Sequence, residues 1–153
     1  MVDFRSLPDP IWRVLKLPER LFRLGFGPKF VLLLTTIGRK SGRRYVTPLQ
    51  YEEQNDVLYV ASARGRKADW YRNIKANPNV AVQIKSNCFR GIAHQIEHPK
   101  QITKFLELRI KNHPRMMGVM LQAEGLSKSP SLVELETLAR KITLVGITRH
   151  IVA

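Results

Sequence analysis

The segment Phe30-Val-Leu-Leu-Leu-Thr-Thr-Ile-Gly-Arg-Lys-Ser-Gly-Arg-Arg-Tyr-Val-Thr-Pro-Leu-Gln-Tyr51 decides the fold. Phe30 to Ile37 is an apolar run rich in β-branched residues, which predicts a buried strand. The turn Gly38-Arg-Lys-Ser-Gly42 interrupts it, and a second run follows from Arg43 to Tyr51. Two such runs around a short glycine-bounded turn predict a β-hairpin. Pro48 lies inside the second strand and has no N–H to donate, so an edge or a bulge is expected there.

Downstream, Glu52 to Asp56 reads as a polar turn and Val57 to Ser62 as a third strand. A basic loop, Ala63 to Ala68, leads to Asp69 as the N-cap of a short helix, Trp70 to Ala76, which Asn77-Pro78 stops. Strands are expected at Val80 to Ile84 and Phe89 to Ile96, turning at Ser86-Asn87. Pro99 opens a helix to Asn112 and Pro114 another to Ala123; Leu132 to Arg140 reads as a helix and Ile142 to Ile147 as a final strand. Upstream, residues 10–25 mix apolar and basic positions at helical spacing, with a kink at Pro18. That segment suits a helix packed on the core, a lid, or a surface toward anionic membrane. The pattern predicts a single domain, residues 1–153, of α+β class: about six mostly antiparallel strands forming a small barrel with flanking helices.

A formal charge of +14 favours anionic partners. Between Arg20 and Tyr51 the chain carries Arg20, Arg23, Lys29, Arg39, Lys40, Arg43 and Arg44 with no acidic residue. Between Val57 and Ile96, Arg64, Arg66, Lys67, Arg72, Lys75, Lys85 and Arg90 face only Asp69. If the two stretches pack together they form one electropositive groove. The single cysteine, Cys88, excludes an intramolecular disulfide, a cysteine zinc site and a CxxC pair, in keeping with a reducing, cytoplasmic setting. The longest apolar run, Phe30 to Leu34, is far short of a bilayer span, and the N-terminal Asp3, Arg5, Pro8 and Asp9 do not match a secretory signal.

The turn Gly38 to Gly42 combines glycines, exposed amides, a hydroxyl and flanking cations, the ingredients of a phosphate site; a solvated basic turn would share them. It matches neither the P-loop nor the GxGxxG spacing. Ser62 and the loop Ala63-Arg-Gly-Arg-Lys67 supply a second set of such groups. Trp70, Tyr71 and Asn73 could stack on and hydrogen-bond to a heterocycle, or Trp70 and Ile74 could cover the barrel at i, i+4 spacing. The four histidines, His94, His98, His113 and His150, are scattered, so no metal site is expected. No paired carboxylates or nucleophile set stands out, and an enzyme of this kind needs a cofactor for the hard step. Met116, Met117 and Met120 suit either a core stripe or an adaptable pocket.

Taken together, Leu32 to Gly42, Thr47-Pro-Leu49, Ala61-Ser62, Asp69-Trp-Tyr-Arg-Asn73 and Asn77-Pro-Asn-Val80 closely resemble the deazaflavin-dependent nitroreductase family, in order and in spacing. The resemblance is specific from Phe30 to Ile84. It implies a split β-barrel of the flavin mononucleotide-binding type and use of reduced coenzyme F-420, whose tail carries a phosphate and glutamates. By resemblance, Arg39, Lys40, Ser41 and Arg44 hold the phosphate or glutamates, and Thr47 and Pro48 line the cofactor channel. Ser62 and Ala63 contact the deazaflavin, and Trp70 and Asn73 complete the wall. The implied reaction is hydride transfer to a quinone, nitro compound or activated alkene, a small-molecule electron acceptor, with no residue required as a tuned acid or base. Family members that reduce nitroimidazoles carry tyrosines in a C-terminal substrate region; His113-Pro-Arg-Met-Met117 has none, which favours a quinone or alkene acceptor. The competing readings are the same barrel with flavin mononucleotide (FMN), a protein that binds the cofactor without turnover, and a basic barrel for single-stranded nucleic acid.

Overall fold

The computed structural model describes residues 31–62 and 65–150. The predicted helix within residues 10–25 and Ala63 lie outside the described residues. The elements are β1 (Val31–Ile37), β2 (Arg44–Gln54), β3 (Val57–Ser62), α1 (Asp69–Ala76), β4 (Asn79–Ile84), β5 (Asn87–Ile96), α2 (Pro99–Asn112), α3 (Pro114–Ala123), α4 (Leu132–Ala139) and β6 (Thr143–Arg149). The six strands close into a barrel in the order β1-β2-β3-β6-β5-β4, every neighbouring pair antiparallel. The expected α+β barrel is therefore present. Among the described residues no helix is long and apolar enough to cross a membrane.

Strand alternation builds two cores. Leu58 and Val60 point into the barrel with Leu32, Leu34, Val145 and Ile147, whereas Tyr59 and Ala61 point outward. The outward face of β3 and β6 is covered by Phe105 and Leu106 of α2, Met117 and Leu121 of α3, and Leu135 and Leu138 of α4. Trp70, Tyr71 and Ile74 of α1 join the inner core. Burying a side chain of this size stabilises by about 1.5–3 kcal/mol, so α1 is held by its apolar face, not by helix propensity over eight residues.

Pro48 sits opposite Leu33 in an unbroken β1–β2 ladder, which excludes a bulge. Pairing with β3 starts only at Tyr51, so the side of β2 turned away from β1 has no strand partner at Pro48, and the missing N–H costs no ladder bond. The edge reading holds.

Four expectations need correction. The polar turn is only Asn55-Asp56, both left-handed (φ 52° and 63°), as a two-residue type I′ hairpin turn requires; β2 runs on through Gln54. Glu52, read from its polarity as a turn residue, is a buried strand residue. Asp69 is the first residue of α1 and not its cap; Ala68 holds the cap position without a side-chain bond, and the Asp69 carboxylate turns to Arg39. The β4–β5 turn falls at Lys85-Ser86, and β6 begins and ends slightly later than expected. The helix starts at Pro99 and Pro114 are as read. His98 caps α2 by accepting from the Lys100 N–H, and Ser131 with Glu134 forms a capping box on α4.

Candidate functional site

The turn between β1 and β2 is closed by its own backbone. The Gly38 N–H donates to the Arg43 carbonyl at 2.7 Å and the Gly42 N–H to the Gly38 carbonyl at 2.9 Å. Gly42 is favoured by its backbone conformation, whereas a side chain at Gly38 would have to displace the exposed Tyr45 ring. A Cβ at Gly38 would come 2.6 Å from the Tyr45 ring, and Gly42 has φ +69°.

A second set of bonds ties the turn to α1. The Oδ1 of Asn73 accepts from the Arg39 N–H at 3.2 Å and from the Arg39 guanidinium at 2.9 Å, while its Nδ2 donates to Thr36 Oγ1 at 3.2 Å. Arg39 also reaches Asp69 at 3.3 Å. Asn73 is buried and Asp69 is mostly exposed, so the amide is the stronger anchor of the two.

This division sorts the cations that the sequence grouped together. The Arg39 head group is committed to Asn73 and Asp69. Lys40, Arg43 and Arg44 are exposed, and among the described residues none of them meets a carboxylate. The Lys40 and Ser41 amides have no acceptor among the described residues either. Ser41 Oγ accepts from the Arg43 N–H at 3.2 Å and lies 3.1 Å from the Tyr45 hydroxyl, which fixes it within the turn. The turn thus offers two amides, one hydroxyl and three cations that are unpaired among the described residues, groups able to hold a phosphate or carboxylate by charge-assisted bonds.

The remaining sequence-derived positions spread around this end of the barrel. Thr47 is buried and shares the inner face with Leu34, its partner across the ladder. Pro48, the next residue, is half-buried and points to the opposite face, so the two side chains do not line one wall. Ser62, at the end of β3, donates to the Gly65 carbonyl at 2.7 Å and shapes the following loop. Trp70 is only 2% exposed and belongs to the inner core, as the covering reading of Trp70 and Ile74 has it. Its indole N–H and the Tyr71 hydroxyl are buried and find no acceptor among the described residues. Burial raises the Tyr71 pKa above its ordinary value, opposed by Arg66 and assisted by Glu97.

Among the described residues no group of three His, Cys, Asp or Glu side chains could hold a metal. Cys88 is exposed. The methionines divide: Met117 is core, Met116 is half-buried and Met120 is exposed.

One buried polar cluster escaped the sequence reading. Glu52 of β2 receives the Asn112 amide at 2.9 Å, His113 Nε2 lies 3.0 Å from its other oxygen, and Arg109 lies 3.5 Å away. Arg109 also donates to Gln50 at 2.6 Å. Burial lowers the Arg109 pKa, partly offset by Glu52. Gln50 and Glu52 are two apart on a strand, and Arg109, Asn112 and His113 are three and four apart at the end of a helix. Those spacings place each set on one face, and they were the available signal. The cluster joins β2 to the α2–α3 junction and lies apart from the Gly38 turn in sequence and in bonding.

A sequence profile of the family described as F420H(2)-dependent quinone reductase matches residues 22–121, more than half of the chain. A Mycobacterium tuberculosis protein bearing that family name is 45% identical over 71 residues, 42% of this chain and 60% of the relative. The F420H(2)-dependent quinone reductase Rv1261c of the same organism is 32% identical over 69 residues, 43% of this chain and 46% of the relative. This chain thus spans less than two thirds of those relatives' lengths. Among solved structures, an F420-H2 dependent reductase superposes with a TM-score of 0.53 at 24% identity, over 80% of this chain and 95% of the other. The heme storage protein HutZ of Vibrio cholerae gives 0.56 at 14% identity, over 90% and 92%. At such identities the structural likeness establishes the barrel fold, which thus hosts more than one function. The profile match carries the affiliation: the chain belongs to the F420H(2)-dependent quinone reductase family.

Proposed function

We propose that this protein is an oxidoreductase that uses reduced coenzyme F-420 to reduce a small-molecule acceptor, with a quinone as the preferred class. One observation carries the reading: in a chain of this family, the Gly38 to Gly42 turn presents Lys40, Arg43 and Arg44 unpaired, beside two free amides, while Arg39 is used to brace the turn. A group that carries a phosphate and carboxylates fits that donor set.

When bound, the coenzyme supplies a hydride to the acceptor, and water supplies the accompanying proton. The chain's own contribution is binding and orientation. Lys40, Ser41, Arg43 and Arg44 hold the anionic tail; Asn73 and Thr36 fix the turn that presents them. Thr47, Pro48, Ser62 and Ala63 are the remaining candidate contacts, with Trp70 closing the barrel beneath. The formal charge of +14 also favours peripheral contact with anionic lipid, which cosedimentation with anionic vesicles would measure.

The deciding experiment is a fluorescence titration with oxidised coenzyme F-420 and, in parallel, with flavin mononucleotide, followed by turnover of the reduced coenzyme with a naphthoquinone. Selective, salt-sensitive binding of the deazaflavin with turnover supports the proposal. Preference for the flavin overturns the cofactor assignment, and binding without turnover on any quinone, nitro compound or enone overturns the activity.

A further inference from the structure

A groove of about 370 Å³ lies across β1, β4 and β5, outside the face that α2, α3 and α4 cover. Its floor follows from the register. Thr35 pairs with Ala81, and Ala81 with Arg90, so these three side chains form one cross-strand row; Ile37, two residues beyond Thr35, pairs with Arg44. The His150 N–H donates to the Arg90 carbonyl at 2.9 Å, which brings His150 to the end of that row. The floor is mostly apolar, with Ile37 36% exposed on a wall that α2, α3 and α4 do not cover. The rim carries two arginines, Arg44 at one side and Arg90 at the other, with His150 beside Arg90. Among the described residues no carboxylate pairs with either arginine.

An apolar floor with unpaired guanidinium groups at its edges suits a ligand with a flat apolar body and an anionic oxygen. A solvated basic patch would need no such floor. The volume is at the lower end of small-molecule sites, enough for a fused two-ring body. We propose that this groove is a second binding site, for an aromatic carboxylate or a comparably amphipathic organic anion, with Arg90 as its principal anion contact. It shares Arg44 with the proposed tail site but otherwise goes beyond the coenzyme reading, and its test requires no coenzyme.

The test is calorimetric titration of the full chain with 2-naphthoate and with its uncharged analogue 2-naphthamide. Three variants accompany it: Arg90→Ala, which removes the charge; Ala81→Phe, which fills the floor; and Lys40→Ala, which alters only the Gly38 turn. Arg90 and Ala81 are exposed, and unchanged thermal unfolding would verify the fold of each variant. Saturable naphthoate binding is expected, roughly 10-fold weaker for the amide and for Arg90→Ala, as the loss of one charge-assisted bond implies. Ala81→Phe should abolish it, and Lys40→Ala should leave it unchanged. Absence of saturable binding, equal affinity for acid and amide, or sensitivity to Lys40→Ala in place of Arg90→Ala would each overturn the proposal.

Discussion

Asn73 holds Arg39 twice, its Oδ1 accepting from the backbone N–H at 3.2 Å and from the guanidinium at 2.9 Å. A buried helix residue thereby sets the shape of a loop 34 positions earlier. Removing the amide leaves the Arg39 N–H and the Thr36 hydroxyl without their partner. Asn73→Ala is expected to cost about 1–3 kcal/mol of stability and to weaken coenzyme binding as well. Urea unfolding and the fluorescence titration check the two effects, and a variant that loses neither would remove Asn73 from this role.

Lys40 and Arg39 should separate cleanly. Lys40 is exposed and unpaired, so Lys40→Ala is expected to weaken coenzyme binding by about 1–2 kcal/mol with little change in unfolding. Arg39→Ala is expected to lower stability by about 1–2 kcal/mol, since it removes the guanidinium bond to buried Asn73 as well as the partly exposed pairing with Asp69. Titrations at low and high salt provide the control, since the exposed Lys40 contribution should fade as salt rises.

The Glu52 cluster predicts an asymmetry. Arg109→Ala leaves a buried carboxylate with less compensation and should cost about 3–5 kcal/mol, whereas exchanging the pair together for apolar residues, Glu52→Leu with Arg109→Met, should cost much less. Thermal unfolding of Glu52→Leu, Arg109→Met and the double variant measures the coupling. Equal, additive losses would mean that the two charges do not depend on each other.

Tyr71 predicts an alkaline effect of defined sign. Its hydroxyl is buried with no partner among the described residues and its pKa is raised by desolvation, so above pH 10 the folded state retains the proton that the unfolded state has already lost. The contribution is fully present below the unfolded value of 10.0 and is lost as pH rises from there through the folded pKa. Tyr71→Phe should be neutral or slightly stabilising at neutral pH and should flatten the decline above pH 10, as read from unfolding free energies across that range. A marked loss of stability at neutral pH would mean that the hydroxyl has a partner.

Much of the fold was legible in the sequence, because strong local signals agreed with the global arrangement. The Phe30 to Tyr51 hairpin, the helix starts at Pro99 and Pro114, and the barrel itself follow from periodicity, glycine and proline. Glu52 was misread because polarity marks a turn only where nothing buries it, and the groups that bury it lie some sixty residues away on α2. Asp69 was misread as a cap because its carboxylate has a better partner in Arg39. At the candidate site, residue types pointed to the Gly38 turn but could not divide its cations. Only the long-range bond to Asn73 separates the bracing Arg39 from Lys40, Arg43 and Arg44.

The strand order also sets a folding sequence. Val57 pairs with Thr148, so β3 finds its second neighbour only after the whole helical layer has intervened in the chain, and closing so long a loop is slow. The hairpin of β1 and β2, its extension to β3 and the Asn73 brace all use much nearer partners. The anion-holding turn should therefore mature early, and the sealing of the barrel by β6 should limit the rate at which the protein reaches its final state.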